Sequence, residues 1–343
     1  MKIMKLRTLL LGAVGALTLA LAPRTTDAQA QYVMNIGTVA PDGTPWADQL
    51  KDLKKRIEKE SAGRIKVKMF LGGALGSEIE MIQDVARGER LQGGGFSTGA
   101  IGEGLDIPVL MMPELPYLFR SVEEADVILD EVLYEPTNAA LGKKGMVLAA
   151  WAENGWRSFA TKGGPATSPT ELAKYKMRSQ EAPVHLNMYK ALGVQAVAKP
   201  VSEVLPALNT GIVDGFDNTP LFSLASGWIG PATHYTLSKH IYQPAAVVYS
   251  KKFVDSLPDD LKKIVMGDPA GESKRGRVAV RTLEADLLST IEGMGKEIVK
   301  LTPEQNKAFR QKCRSTVHKQ FLGEHQEMQA LYGKVTSKLK TLR

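Results

Sequence analysis

The chain has 343 residues, 43% hydrophobic and 24% charged, with a formal net charge of +7. These values are ordinary for globular protein and leave room for two domains with sizeable cores. One cysteine, Cys313, excludes an internal disulfide and a thiolate cluster. With only 6% aromatic residues and no basic stretch interleaved with them, nucleic acid is not an expected partner.

Residues 1–30 read as a secretion signal. Lys2, Lys5 and Arg7 precede an apolar run over 8–21, and Ala28-Gln29-Ala30 supplies a small-x-small cleavage pattern. The run is short for a membrane span, and no lipid-accepting cysteine follows it, so an exported protein without stable membrane insertion is expected. Without residues 1–30, 40 basic and 36 acidic residues remain, a charge of +4. Much of that excess lies in 274–277 and 334–340, read as a solvated helix face and a frayed tail.

Residues 32–39 read as a strand. Thr44-Pro45 starts a helix, with Trp46, Leu50, Leu53 and Ile57 at helical spacing and Gly63 closing it. Ile65, Val67 and Met69 alternate with lysines, as in a half-buried strand. Ser77-Glu78-Ile79-Glu80 is a capping box opening a helix that ends near Gly88, and 91–97 should be the next strand. Ser121-Val122-Glu123-Glu124 reads as a second capping box. The stretch 145–152 is apolar without alternation, which implies a sheet covered by helices on both faces, the α/β class.

The pattern restarts after Trp151-Ala152-Glu153-Asn154-Gly155. An extended segment over 156–161 is followed by a short helix capped by Ser168. Strands at 175–178, 195–199 and 212–216 then alternate with helices at 183–192 and 202–209, closed by Gly193 and Gly211. This series implies a second α/β domain. An apolar strand over 245–249 is assigned back to the first sheet. The remainder reads as mostly helical, broken at Gly267-Asp268-Pro269, with a last clear helix starting at Thr302-Pro303-Glu304.

Gly95-Phe96-Ser97-Thr98-Gly99 fits the G-x-S-x-G elbow of a serine hydrolase. That chemistry also needs a histidine and oxyanion donors. None of His185, His234, His240, His318 and His325 lies in a pattern that would face Ser97, and no His-Gly-Gly stretch precedes it. The competing reading is that the glycines bring the backbone close to a bound ligand, with Phe96, Ser97 and Thr98 lining a cleft. No nucleotide-binding register closes. His318, Glu324 and His325 match no metal-ligand spacing, so no metal and no cofactor is expected. The stretch 176–218 puts Arg178 and Asn218 at the ends of neighbouring strands aimed at one crevice, and an arginine's fork of donors fits a carboxylate. From residues alone, Arg157 and Arg178 are equally open to structural pairing or to an anionic ligand. Asn218 is usually read as a turn residue.

Several motifs in order resemble one family. They are Ala40-Pro41-Asp42-Gly43-Thr44-Pro45-Trp46, Phe70-Leu71-Gly72-Gly73-Ala74-Leu75-Gly76 with Glu78, Leu115-Pro116-Tyr117-Leu118-Phe119, and Glu153-Asn154-Gly155-Trp156-Arg157. Met177-Arg178 with Glu181-Ala182-Pro183, Ser202-Glu203-Val204 with Leu208-Asn209-Thr210-Gly211, Val213-Asp214-Gly215 with Asn218, and Ser256-Leu257-Pro258 follow. Together they are similar to the substrate-binding proteins of tripartite ATP-independent periplasmic (TRAP) transporters, over about 34–309. The resemblance implies two α/β lobes of the Venus-flytrap type: 31–154 with 243–282, and 155–242 with 283–343, a long C-terminal helical segment bracing both. It implies a periplasmic receptor, not an enzyme, that binds a carboxylate-containing organic anion and delivers it to membrane permease subunits. By position Arg178 would bind the carboxylate, Arg157 and Asn218 would assist, and Phe96, Ser97, Trp156, Gln180 and Glu181 would be neighbours. Val201 stands where many members have an aromatic ring, which should widen the pocket. Gly93–Gly95, Met111-Met112 and the break at Pro269 also depart from the pattern. A receptor for a bulkier hydrophobic ligand, and a secreted hydrolase using Ser97, are the alternatives.

Overall fold

The computed structural model describes residues 31–343; the cleavage site and signal expected over 1–30 lie outside the described residues. Nine strands form one mixed sheet: β1 (Tyr32–Thr38), β2 (Ile65–Phe70), β3 (Gly93–Ser97), β4 (Met146–Thr161), β5 (Met177–Ser179), β6 (Ala196–Ala198), β7 (Gly215–Asn218), β8 (His234–Ser250) and β9 (Glu297–Lys300). Their order is β2-β1-β3-β8-β4-β7-β5-β6, with β9 pairing β8. β1, β2 and β3 run parallel, as do β5, β6 and β7. The two parallel sets are joined by the antiparallel pair of long strands β4 and β8. Each long strand serves both halves: β8 pairs β3 over 245–249 and β9 over 234–237.

Local rules account for most elements. In β2, Ile65 and Val67 are buried while Lys66 and Lys68 are exposed. Thr44 caps the Pro45–Glu60 helix, which buries Trp46, Leu50, Leu53 and Ile57. The Ser77 capping box forms. At Ser121 only half of it forms, because the Glu124 carboxylate accepts from Arg120 N instead. The helix break before Pro269 is present, with Asp268 as the new N-cap.

Two expectations are corrected. The segments 145–152 and 156–161 are one strand, β4, passing through a bulge between Glu153 and Gly155. The residue opposite Glu153 is Pro244, which has no N–H to give the ladder, and Gly155 takes φ +108°. The tail is not frayed either. Helix Gln329–Leu342 docks on the first half through Lys338–Glu131 (2.7 Å) and Arg343–Glu124 (2.9 Å). Helix Pro303–Glu324 packs on helix Pro183–Leu192 and reaches the first half through Arg314 Nε to Tyr117 O (3.1 Å) and His318 to Pro116 O (2.8 Å). His318 is therefore a buried brace between the C-terminal helix and the first half. Its neutral imidazole, held down at about 4 by burial, also meets the Tyr332 hydroxyl at 2.7 Å. Among the described residues no helix is long and apolar enough to cross a membrane.

Candidate functional site

A small cavity of about 30 Å³ lies between the two halves of the sheet, where strand ends β5 and β7 face β3 and the start of helix Glu78–Arg87. Asp214 pins β5 at its start: its carboxylate accepts from Lys176 N (2.9 Å) and its own N–H donates to Lys176 O (2.7 Å). Two residues on, Arg178 is 2% exposed. Its Nε and Nη2 both donate to one acceptor, Lys199 O, at 2.9 and 2.6 Å, and its guanidinium carbon lies 5.1 Å from the Trp228 ring centroid. Among the described residues it makes no ion pair, and Nη1 makes no hydrogen bond. Burial, and then the charge of Arg157, lower its pKa to about 10, which leaves it cationic at neutral pH.

Arg157, on β4, is equally buried and differently placed. Nε donates to Asp217 Oδ2 (2.6 Å), Nη2 to Asp217 O (2.5 Å) and Nη1 to Gln243 Oε1 (2.8 Å). Burial lowers its pKa, but the Asp217 carboxylate outweighs that and raises it. Asp217 is held well below the usual carboxylate range: burial opposes ionisation, and Arg157 and His240 (3.3 Å) overcome it. All three Arg157 nitrogens are thus bonded to protein acceptors.

Asn218 reconciles two readings. Its Oδ1 accepts from Thr219 N (2.8 Å), a turn contact, and from Asn154 Nδ2 (3.0 Å). The backbone N–H fixes the amide's orientation, so Nδ2 remains a donor without a partner among the described residues. The β4 bulge explains Asn154: as the extra residue it is turned into the cavity, where its amide holds both Asn218 and Gln243 (2.7 Å).

The far wall carries Glu78 and Ser97. Glu78 Oε1 accepts from Ser97 N (2.7 Å) and Oε2 from Ser97 Oγ (3.1 Å). Burial, reinforced by the charges of Glu114 and Glu181, raises the Glu78 pKa to about 7 against the pull of the two Ser97 bonds. Gln180 Nε2 donates to Ser97 Oγ (2.8 Å), joining the two halves. Gln243 Nε2 in turn donates to Gln180 Oε1 (2.7 Å) and Glu114 Oε2 (2.8 Å). Glu114 also receives His185 (2.6 Å) and Thr98 (2.8 Å).

Arg157, Arg178, Asn218, Ser97, Gln180, Glu181 and Val201 all line this cavity. Phe96 and Trp156 do not. Adjacent strand residues point to opposite faces, so with Ser97 in the cavity Phe96 goes into the core, fully buried. Trp156 lines a separate hollow on the outer side of the bulge and packs edge-on against Tyr242 at 5.3 Å between centroids. Nor do the glycines admit a ligand. A Cβ on Gly95 would fall 2.7 Å from Trp46 Nε1, and one on Gly93 2.7 Å from Tyr249 Cδ1, so they make room for packed rings. Trp228 and Phe222, from after β7, give the cavity aromatic faces beside Val201 in its lining. Sequence reading passed over Trp46, Glu78, Asn154, Gln243 and Trp228 as site residues. The usable signals were a glutamine inside the apolar run of β8, and Glu78 and Asn154 within quoted motifs.

Ser97 sits at a strand-to-helix turn, as an elbow would, but its hydroxyl bonds Glu78 and Gln180. Among the described residues no histidine bonds it.

A family model described as bacterial extracellular solute-binding protein, family 7, matches residues 36–324. A solute-binding protein of Verminephrobacter eiseniae is 30% identical over 272 residues, covering 79% of this chain and 80% of that protein. The chain is similar in fold to the sugar acid binding protein of Advenella mimigardefordensis in complex with galactonate (TM-score 0.83, 26% identity, 90% of this chain and 98% of that one). It is likewise similar to a TRAP periplasmic solute binding protein of Sulfurospirillum deleyianum with bound succinate (TM-score 0.83, 25% identity, 90% and 99%).

Proposed function

The chain belongs to bacterial extracellular solute-binding protein family 7, and from that premise we propose that it is the periplasmic receptor of a TRAP-type uptake system, binding an organic carboxylate without turning it over and handing it to membrane permease subunits. The observation that carries the binding site is Arg178: a buried guanidinium with no carboxylate partner among the described residues, lining a cavity beside the unspent amide of Asn218. A carboxylate there would receive charge-assisted bonds from donors already held in place. Arg157, which donates to Gln243 Oε1 (2.8 Å) and Asn218 Oδ1 (3.4 Å), acts through these two side chains rather than on the ligand. The bonds of Ser97 to Glu78 and Gln180 support binding over hydrolysis, and the polar wall supports an organic acid over a greasy ligand.

The lobes of this proposal divide at 154/155 and 242/243. The supporting feature is the β4 bulge with Gly155 at φ +108°, opposite Pro244. Opening would break hydrogen bonds that join the lobes across the cleft, among them Gln180–Ser97, Gln243–Gln180 and His185–Glu114. A carboxylate on Arg178 would favour the closed form by the extra contacts that form offers. The test is mass spectrometry of small molecules released by denaturing natively purified protein. An organic carboxylate is expected, and release of a carboxylate-free ligand would overturn the assignment.

A further inference from the structure

The polarity of the hydrogen-bond chain across the cavity is fixed from one end. Arg157 has only donors, so Gln243 must turn its oxygen to it (2.8 Å) and its Nε2 away. Nε2 then donates to Gln180 Oε1 (2.7 Å), which leaves Gln180 Nε2 to donate to Ser97 Oγ (2.8 Å). The Ser97 hydroxyl proton has one direction left, toward Glu78 Oε2 (3.1 Å). Both Glu78 oxygens are therefore acceptors, each with lone-pair capacity beyond its single bond to Ser97, in a side chain that is 6% exposed and lines the cavity.

The charges around the cavity sort the same way. Four charged side chains line it: Arg157, Arg178, Glu78 and Glu181. Arg157 is matched by Asp217 at 2.6 Å, so Arg178 is the one cation without a carboxylate. Among the described residues, nothing at the Glu78 wall offers a second carboxylate a cation, and Glu78 itself would repel it.

We infer that the cavity selects singly charged hydroxy acids: the carboxylate lies on Arg178 and Asn218, hydroxyl protons are given to Glu78, and dicarboxylates are rejected. The inference rests on the receptor reading and narrows it. Arg157, Arg178 and Glu181 share the cavity lining with Glu78, and burial, then the negative charges of Glu114 and Glu181, raise its pKa to about 7. Protonation would turn Glu78 into a donor that accepts a second carboxylate, so the selectivity should relax on acidification.

The test is titration calorimetry of the purified protein with galactonate, glucuronate and glycerate against succinate and malate, at about pH 8.5 and about pH 6, on either side of the Glu78 value. Malate separates the two ideas, because it has a hydroxyl and a second carboxylate. At the higher pH the best hydroxy monoacid is expected to bind at least about tenfold tighter than either diacid, about one pKa unit's worth of discrimination. The ratio should shrink at the lower pH. In Glu78→Gln the ratio should fall toward one and lose its pH dependence. A diacid binding as tightly as the monoacids at about pH 8.5 overturns the inference while leaving the receptor reading intact. So does a pH-independent ratio in the wild type, which needs no variant to fold. Binding by no member of the panel overturns the organic-anion reading itself.

Discussion

Two buried arginines on neighbouring parts of one sheet have opposite surroundings. Around Arg157 every element supplies an acceptor: the Asp217 carboxylate and carbonyl from β7, and the Gln243 amide from β8. Around Arg178 there is one carbonyl, Lys199 O, and the face of Trp228. The pKa values move apart accordingly, Arg157 upward and Arg178 down to about 10. On the proposed receptor reading, the difference separates a cation that holds the fold from one placed to receive an anion. Residue type and burial are shared, so the partners tell them apart.

The largest test of that contrast is Asp217→Asn. It leaves Arg157 buried without its counter-charge and should lower the unfolding free energy by about 3–5 kcal/mol, read by denaturant titration. Asp217 has a depressed folded pKa, so its contribution is present above about pH 3.9, the unfolded value, and is lost as pH falls toward the folded one. The wild type should therefore keep the Arg157 pair well into acid, and the variant should show no corresponding acid loss. A change below about 1 kcal/mol, the scale of an ordinary hydrogen bond, would mean that Gln243 and the Asp217 carbonyl suffice to hold Arg157.

Arg178→Lys should do the reverse. The charge stays but the fork is lost, and carboxylate affinity should fall by about 1.5–3 kcal/mol, the range of a hydrogen bond to a charged group. Calorimetry would read this as about 10- to 150-fold. Stability of the unliganded protein should hold or rise, because an unmatched buried cation is replaced by one that bends more easily toward water. If Arg178→Lys unfolds the protein as readily as Asp217→Asn, the contrast between the two arginines fails.

Much of the fold was legible, and the limits have physical causes. Helix starts at Thr44, Ser77 and Thr302 and the break before Pro269 follow from local chemistry and are present. The continuity of β4 was not legible, because Asn154-Gly155 reads as an ending when it is a bulge forced by Pro244 on a distant strand. The first half of β8 and the whole of β9 were missed for the same reason: His234, Ser238 and Lys239 have no strand pattern until the partner strand is known. At the site, spacing singled out Arg178 and Asn218 but could not separate Arg178 from Arg157. Asp217 decides that question, and it occupies the opposite strand face from Asn218, where alternation hides its burial. Phe96 and Trp156 fall outside the cavity lining; a ring near a motif looks like a contact until the strand's faces are assigned.

The smallest effect bears on how the Arg178 side is closed over. Gln180, two residues past Arg178, is tied to the opposite half by its bond to Ser97 Oγ, 2.8 Å. Ser97→Ala removes that acceptor and one of the two donors to Glu78, but the Ser97 backbone N–H still reaches Glu78 at 2.7 Å. Glu78 thus stays in place, and the loss falls on closure rather than on ligand contact. One hydrogen bond of about 1 kcal/mol predicts roughly fivefold weaker binding, with the rank order of ligands unchanged, measured by calorimetry beside the wild type. A loss of a hundredfold would make Ser97 a ligand contact, and ester hydrolysis abolished by the same change would make it a nucleophile. Either result would move the centre of the site from the unpaired arginine to the wall facing it.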